Sequence, residues 1–310
     1  MHLFIKLSLI LLALLPSCLA NGQSLYSRAF GKETDDPIIF LHGGPGSSSV
    51  YFEATTAQKL ADEGFYVVVY DRRGEGRSRD STARMNYEEF LEDLNRIYQK
   101  YHITSAHLIG FSFGGLVTTR YTEKYPEKVR SIVLASALIS QQASYNTIVS
   151  SVQRIYGEQN DTANLAALSK IRRMDTTSLA YRTEVFAHAS RNSFFTLRNP
   201  DSDAQRIYAT YQTDTLIKNY IKNERAVETF WGNEKRKNID ITPVLRKLAQ
   251  AKMPVYAIYG KQDGLYSASQ IAGLTQITGK SRLIYLENCS HSVFIDQQAK
   301  FIEVLKAWLK

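Results

Sequence analysis

The stretch "GFSFGG", Gly110 to Gly115, follows the apolar run "SAHLI", Ser105 to Ile109, and precedes "LVTTRYTEKYP", Leu116 to Pro126. An apolar run of that length reads as a buried strand, and the segment after it as a helix closed by Pro126. Between them, Gly110-Phe111-Ser112-Phe113-Gly114 fits the pattern G-x-S-x-G. A turn this sharp forces the serine into strained backbone geometry and exposes its hydroxyl. A Cβ at Gly110 or Gly114 would clash with the turn. Ser112 is therefore a candidate nucleophile, provided the rest of the chain supplies partners.

The surroundings repeat the same rhythm. "PIIFL" (37–41) and "FYVVVYD" (65–71) are apolar runs, as are "VRSIVLAS" (129–136), "MPVYAIYG" (253–260) and "SRLIYLE" (281–287). Between them lie amphipathic stretches such as "NYEEFLEDLNRIYQKYH" (86–102), and Ser47 to Ser49 offer N-caps for a helix ending at Gly64. Apolar strands alternating with helices imply an α/β fold, a mostly parallel sheet covered by helices on both faces. The alternation stops between 137 and 253. That stretch is polar and helical in pattern, with 17 Lys+Arg, 11 Asp+Glu and eleven aromatic residues. It reads as a helical cap insertion (137–253) within one core (23–136 and 254–310). We expect most of its rings to pack its own small core and the others to line a pocket.

Chemistry-bearing residues fall just past strands, where ligands bind in parallel α/β sheets. "HGGPG", His42 to Gly46, follows one strand, and its small residues let backbone N–H groups approach a developing oxyanion. Gly44 and Phe113 are the expected oxyanion donors. Asp263, in "YGKQDG", and His291, in "LENCSHS", each follow a later strand. The order Ser112, Asp263, His291 suits a triad in which serine attacks, histidine moves the proton and aspartate orients the imidazole. His102 and His107 flank the start of a strand, His188 lies in the insertion, and Asp240 follows no strand. "YDRRGEGRS", Tyr70 to Ser78, reads as a structural loop in which Asp71 and the arginines brace the turn.

The formal charge is +8, from 38 Lys+Arg and 30 Asp+Glu, yet the basic residues are scattered. The densest run, "NEKRK" (233–237), is too short for a nucleic-acid footprint, so no nucleic-acid partner is expected. The opening "MHLFIKLSLILLALLPSCLANG" has the charge, apolar core and small-residue end of a secretory signal peptide (1–22), with cleavage after Ala20 or Gly22. "LPSC" also reads as a lipobox with Cys18 as the lipidated residue. The expectation is therefore export, periplasmic or secreted, or a lipoprotein anchored through Cys18. No later segment is long and apolar enough to suggest a membrane span. Only two cysteines occur, Cys18 and Cys289, so no internal disulfide is expected in a processed chain.

Taken together, "HGGPG", "DRRGEGRS" and "GFSFGG" resemble the α/β-hydrolase superfamily, and more narrowly its prolyl iminopeptidase branch. The resemblance spans nearly the whole chain after the leader. It implies a helical cap over the site, no cofactor and no metal, and cleavage after the N-terminal residue of a small peptide. It also implies cap glutamates that hold the substrate's α-amino group, in an Glu-Asn-His-Tyr-Phe-like stretch. Here the nearest stretch is "RNSFF", with Arg191 in the acid's place. Phe111 replaces the second elbow glycine, and Arg72 stands where that branch has glutamine. Glu184, Glu224, Glu228 and Glu234 are the remaining candidates for the carboxylate, in a cap whose positive charge suits a neutral or anionic substrate. Two hydrolase readings stay open, an aminopeptidase and a carboxylic ester, thioester or lactone hydrolase. A non-catalytic binding protein would be expected to lack a triad member, and none is missing.

Overall fold

The computed structural model describes residues 25–310. The proposed leader and Cys18 lie outside the described residues. Seven strands form one sheet: β1 (Ser27–Phe30), β2 (Asp36–Leu41), β3 (Phe65–Tyr70), β4 (Ala106–Phe111), β5 (Val129–Ala135), β6 (Val255–Gly260) and β7 (Leu283–Leu286). Their spatial order is β1-β3-β2-β4-β5-β6-β7. The edge strand β1 runs antiparallel to β3, and every other pairing is parallel.

Alternation along each strand divides the core in two. Ile39, Val68, Leu108, Ile132, Leu134 and Ala257 face one side, where they meet Leu94, Val117, Leu245 and Ile271 from the helices Tyr87–Lys100, Phe113–Lys124, Thr242–Gln250 and Ala268–Thr278. Ile38, Val67, Val69, Ile109, Val133 and Ile258 face the other, against Phe52 and Leu60 of the first helical segment and Phe301 and Leu305 of the helix Gln298–Leu309. Both faces are dry, which is why the strands read as continuous apolar runs rather than as alternating ones.

The first helical segment departs from its expected start. Ser49 occupies the N-cap, but its side chain makes no capping bond. Its hydroxyl instead donates to Asp71 Oδ1 at 2.7 Å, and the segment passes through a π-helical turn at Glu53–Ala57. Asp71 outcompetes the helix because it is buried and needs donors.

The insertion leaves the core beyond β5 and returns before the helix Thr242–Gln250. Its base is a narrow neck: Ser140 pairs antiparallel with Asp240, Gln141 N–H donates to the Ile239 carbonyl at 3.1 Å, and Ile241 N–H donates to the Ile139 carbonyl at 2.8 Å. Above the neck stand the helices Gln141–Glu158, Thr162–Ile171, Leu179–Arg191, Ser202–Thr210, Thr215–Lys218 and Ala226–Asn233. Side-chain caps start five of the six; Ser140, Asp161, Ser178, Asp201 and Asp214 accept from backbone N–H groups. Among the described residues no helix is long and apolar enough to cross a membrane.

Candidate active site

Parallel pairing brings the C-terminal ends of β2 to β7 to one edge of the sheet. The loops carrying His42–Gly46, Ser112, Asp263 and His291 all emerge there.

Ser112 sits between β4 and its following helix with φ +51° and ψ −120°. A non-glycine residue adopts such angles only when its neighbours enforce them. Ser112 N–H donates to the Ala135 carbonyl at 3.1 Å, and its own carbonyl accepts from Gly115 N–H and Leu138 N–H, each at 3.0 Å. A Cβ on Gly110 would lie 2.6 Å from Thr118 Oγ1 and 2.7 Å from the Gly115 Cα, and one on Gly114 would overlap the Leu41 carbonyl. Both glycines are therefore demanded by close approach.

His291 Nδ1 lies 2.8 Å from Asp263 Oδ2, and both residues are buried. Asp263 Oδ1 also accepts from Leu265 N–H at 3.1 Å. The carboxylate thus holds the Nδ1–H tautomer and leaves Nε2 free. The Phe111 ring, one residue before Ser112, lies 5.1 Å from the imidazole centroid. Among the described residues no hydrogen bond joins Ser112 Oγ to Nε2; such contacts commonly tighten only when substrate binds.

The glycine-rich loop is fixed from below by a fully buried arginine. Arg72 donates to the carbonyls of His42 and Gly43, each at 2.6 Å, and pairs with Glu75 at 2.6 Å. Glu75 in turn accepts from Gly46 N–H. In a trans peptide the N–H points opposite to the C=O. Pulling the His42 and Gly43 carbonyls towards Arg72 therefore turns the N–H groups of Gly43 and Gly44 away from it. A Cβ on Gly43 would lie 3.3 Å from Ser112 Cβ, whereas one on Gly44 would face Arg72 and Glu75. Phe113 begins its helix, where the first N–H groups have no intrahelical acceptor.

His42 belongs to this scaffold. Burial, reinforced by the Arg72 charge, pushes its pKa well below the usual range, so it is neutral. Arg72 N–H donates to Nε2 at 3.1 Å, which assigns the proton to Nδ1, and Nδ1 faces the Gly43 carbonyl at 2.8 Å. Asp71 accepts from Ser49 and from Arg77, which also reaches Glu53 at 2.8 Å. Tyr70 to Ser78 thus braces the loop, Arg72 and Glu75 from directly beneath it.

The cap closes over this edge. Asn223 N–H donates to the Gly46 carbonyl at 3.1 Å and its side-chain amide to the Gly74 carbonyl at 2.7 Å. Phe230 lies 5.2 Å from the Phe113 ring. On the other side the "RNSFF" stretch meets the Asp263 and His291 loops: Gly264 N–H donates to the Phe194 carbonyl at 3.0 Å, and the Phe195 ring is edge-on to His291 at 5.5 Å. Arg191, Glu184, Glu224 and Glu228 are exposed. Glu234 is buried, and its oxygens already accept from Tyr87 N–H at 2.9 Å and Arg236 N–H at 2.8 Å. Sequence patterning has the arginines brace their own turn, but it reaches neither the grip of Arg72 on the His42 and Gly43 carbonyls nor Phe195 beside His291, because both contacts join distant segments.

Two surface clefts lie apart from this edge. One of about 840 Å³ runs between Asp201–Thr210 and Asp296–Lys306, and one of about 440 Å³ is lined by Asn192–Asn199 with Gln262 and Asn288. Neither is lined by Ser112, Asp263 or His291.

Comparison with known proteins agrees with this fold. A proline iminopeptidase from Lactobacillus delbrueckii subsp. bulgaricus is 27% identical over 304 residues, covering 93% of this chain and 95% of that protein. The crystal structure of a proline iminopeptidase from Mycobacterium smegmatis superposes with a TM-score of 0.63 at 16% identity, over 92% of this chain and 94% of the other. An esterase from Exiguobacterium antarcticum superposes with a TM-score of 0.60 at 19% identity, over 92% and 95%. At such identities the two structures speak for the fold alone. The family described as "alpha/beta hydrolase fold" matches residues 36–298, nearly all of the sheet and the whole cap, and the chain belongs to that family.

Proposed function

We propose that the protein is a serine hydrolase that cleaves a small substrate through an acyl-enzyme. The observation that carries this reading is the strained Ser112 at the same sheet edge as the His291–Asp263 pair, whose imidazole packs on the ring of Phe111 next to that serine. Ser112 Oγ adds to the carbonyl carbon as its proton passes to His291 Nε2. Asp263 holds the Nδ1–H and stabilises the imidazolium. The oxyanion is taken up by the N–H of Phe113 and by that of Gly44, with Gly43 N–H beside it. The imidazolium then protonates the leaving group, and water repeats the sequence to release the acid.

For the substrate, we propose aminopeptidase-like action on small peptides, supported by full-length relatives named proline iminopeptidase. A second reading, hydrolysis of a carboxylic ester, thioester or lactone, is favoured by one observation: Glu184, Glu224 and Glu228 are exposed and Glu234 is already engaged, so none stands ready for an ammonium group. Labelling with a fluorophosphonate tests the shared chemistry. Wild type should label and Ser112→Ala should not; labelling that survives the substitution overturns the reading. Turnover of proline p-nitroanilide would establish the peptidase, whereas turnover of short p-nitrophenyl esters alone would favour the second. We also propose export through residues 1–22, which the mass of the mature N-terminus would test.

A further inference from the structure

Two limbs of aromatic rings rise from opposite sides of the candidate site. From His291 the rings run to Phe195 at 5.5 Å and on to Phe186 at 5.9 Å. From Phe113 they run to Phe230 at 5.2 Å and on to Trp231 at 5.9 Å. Arg182 joins the two limbs. Its guanidinium carbon lies 4.7 Å from the Phe186 centroid and 5.5 Å from that of Trp231. Trp231 is itself fixed by donating from Nε1 to the Thr177 carbonyl at 3.0 Å.

Ring faces favour the positive charge of Arg182 but accept none of its N–H donors within the guanidinium plane. Among the described residues its side chain has no hydrogen-bond acceptor and no ion-pair partner. It keeps partial access to solvent, yet the surrounding protein is dense enough for burial to lower its pKa, with Tyr145 acting in the opposite direction. Arg182 is thus a charge set among packed rings with its N–H donors unspent. Tyr145 packs on Phe186 with ring centroids 5.9 Å apart, and among the described residues its buried hydroxyl has no partner. The Tyr87 hydroxyl is also buried without one. Donors dominate this region, and Glu234, the acid beside Tyr87, is occupied by backbone N–H groups.

We propose that Arg182 and the Tyr145 hydroxyl form a subsite for a carboxylate carried by the substrate, at the top of the aromatic arch over Ser112. Arg182 supplies the charge, Tyr145 a further donor, and the rings exclude water so that both interactions count for more than they would at the surface. The substrate class is then a small amide or ester with a carboxylate several bonds from the scissile carbonyl. This rests on the hydrolase reading of Ser112 but not on the choice between peptide and ester.

Binding is measured first without turnover, in Ser112→Ala, by calorimetry and by tryptophan fluorescence. Monomethyl glutarate should bind, and dimethyl glutarate about tenfold or more weaker, as the loss of a charge-assisted hydrogen bond implies. Equal binding of the two overturns the proposal without any Arg182 variant having to fold. In the Ser112 enzyme, kcat/KM for mono-p-nitrophenyl glutarate is compared with that for p-nitrophenyl valerate. Arg182→Gln should lower the glutarate-to-valerate ratio about tenfold to a hundredfold, mainly through KM, with Arg182→Lys falling between. An unchanged ratio in a folded Arg182→Gln protein rejects the subsite. Failure of the hydrolase reading looks different: no Ser112-dependent fluorophosphonate labelling, with monoester binding intact.

Discussion

At the scale of single residues, Ser112 is held in a conformation its side chain disfavours. Backbone of this kind costs about 1–3 kcal/mol, sustained by the close packing of Gly110, Gly114 and the loops around them. Glycine would relieve most of that strain, whereas alanine keeps the Cβ. Glycine also gives back about 0.5–1 kcal/mol by loosening the unfolded chain. Ser112→Gly should therefore be more stable than Ser112→Ala by about 1 kcal/mol. Urea denaturation of the two variants checks this, and an alanine variant as stable as the glycine one would show that the elbow is not strained. Ser112 was legible because its turn leaves a local signature in glycine. Arg182 was not: "AYRTEVF" is an ordinary helical stretch, and its meaning comes from Trp231, brought alongside only by the fold of the cap.

At the scale of elements, the apolar strands could be read directly because both faces of the sheet are covered. The edge strand β1 could not, since it is only four residues long and mostly accessible. The helix Ala268–Thr278 was also missed; its start is fixed by a capping box between Ser267 and Gln270 rather than by a strong apolar period. The parallel arrangement has a pH consequence at β4. His107 lies on this strand, with Nδ1 2.8 Å from Ser131 Oγ on β5. Burial, with the Arg130 charge adding to it, lowers its pKa from 6.5 to about 4. Between these values the unfolded chain binds the extra proton and the folded one does not. The stability associated with neutral His107 is thus complete above the unfolded value and is lost as pH falls through it towards about 4. Urea midpoints measured across that range should fall in wild type and fall less steeply in His107→Gln. Equal slopes would mean that the imidazole charges without penalty.

At the scale of the whole molecule, the cap is fastened to the core at a few named points. Asn223 is one, through the Gly46 and Gly74 carbonyls. Asn223→Ala removes the side-chain bond, a loss of about 1 kcal/mol, and leaves the backbone bond in place. Hydrogen exchange should then speed up in residues 219–233 while the sheet stays protected, because local opening depends on few contacts and global unfolding on many. Unchanged exchange would show that other contacts hold this edge of the cap. The arch set between cap and core makes the same motion relevant to substrate entry, since Phe230 and Trp231 would travel with that segment.

The neck at Ile139–Gln141 and Ile239–Ile241 has a consequence for inheritance. The chain departs and returns at adjacent, hydrogen-bonded positions. The chain between them is one continuous insertion, and Ser112, Asp263 and His291 all lie outside it. The candidate triad and the cap are thus written in separate stretches of the same chain. One can be rewritten by recombination while the other is copied unchanged.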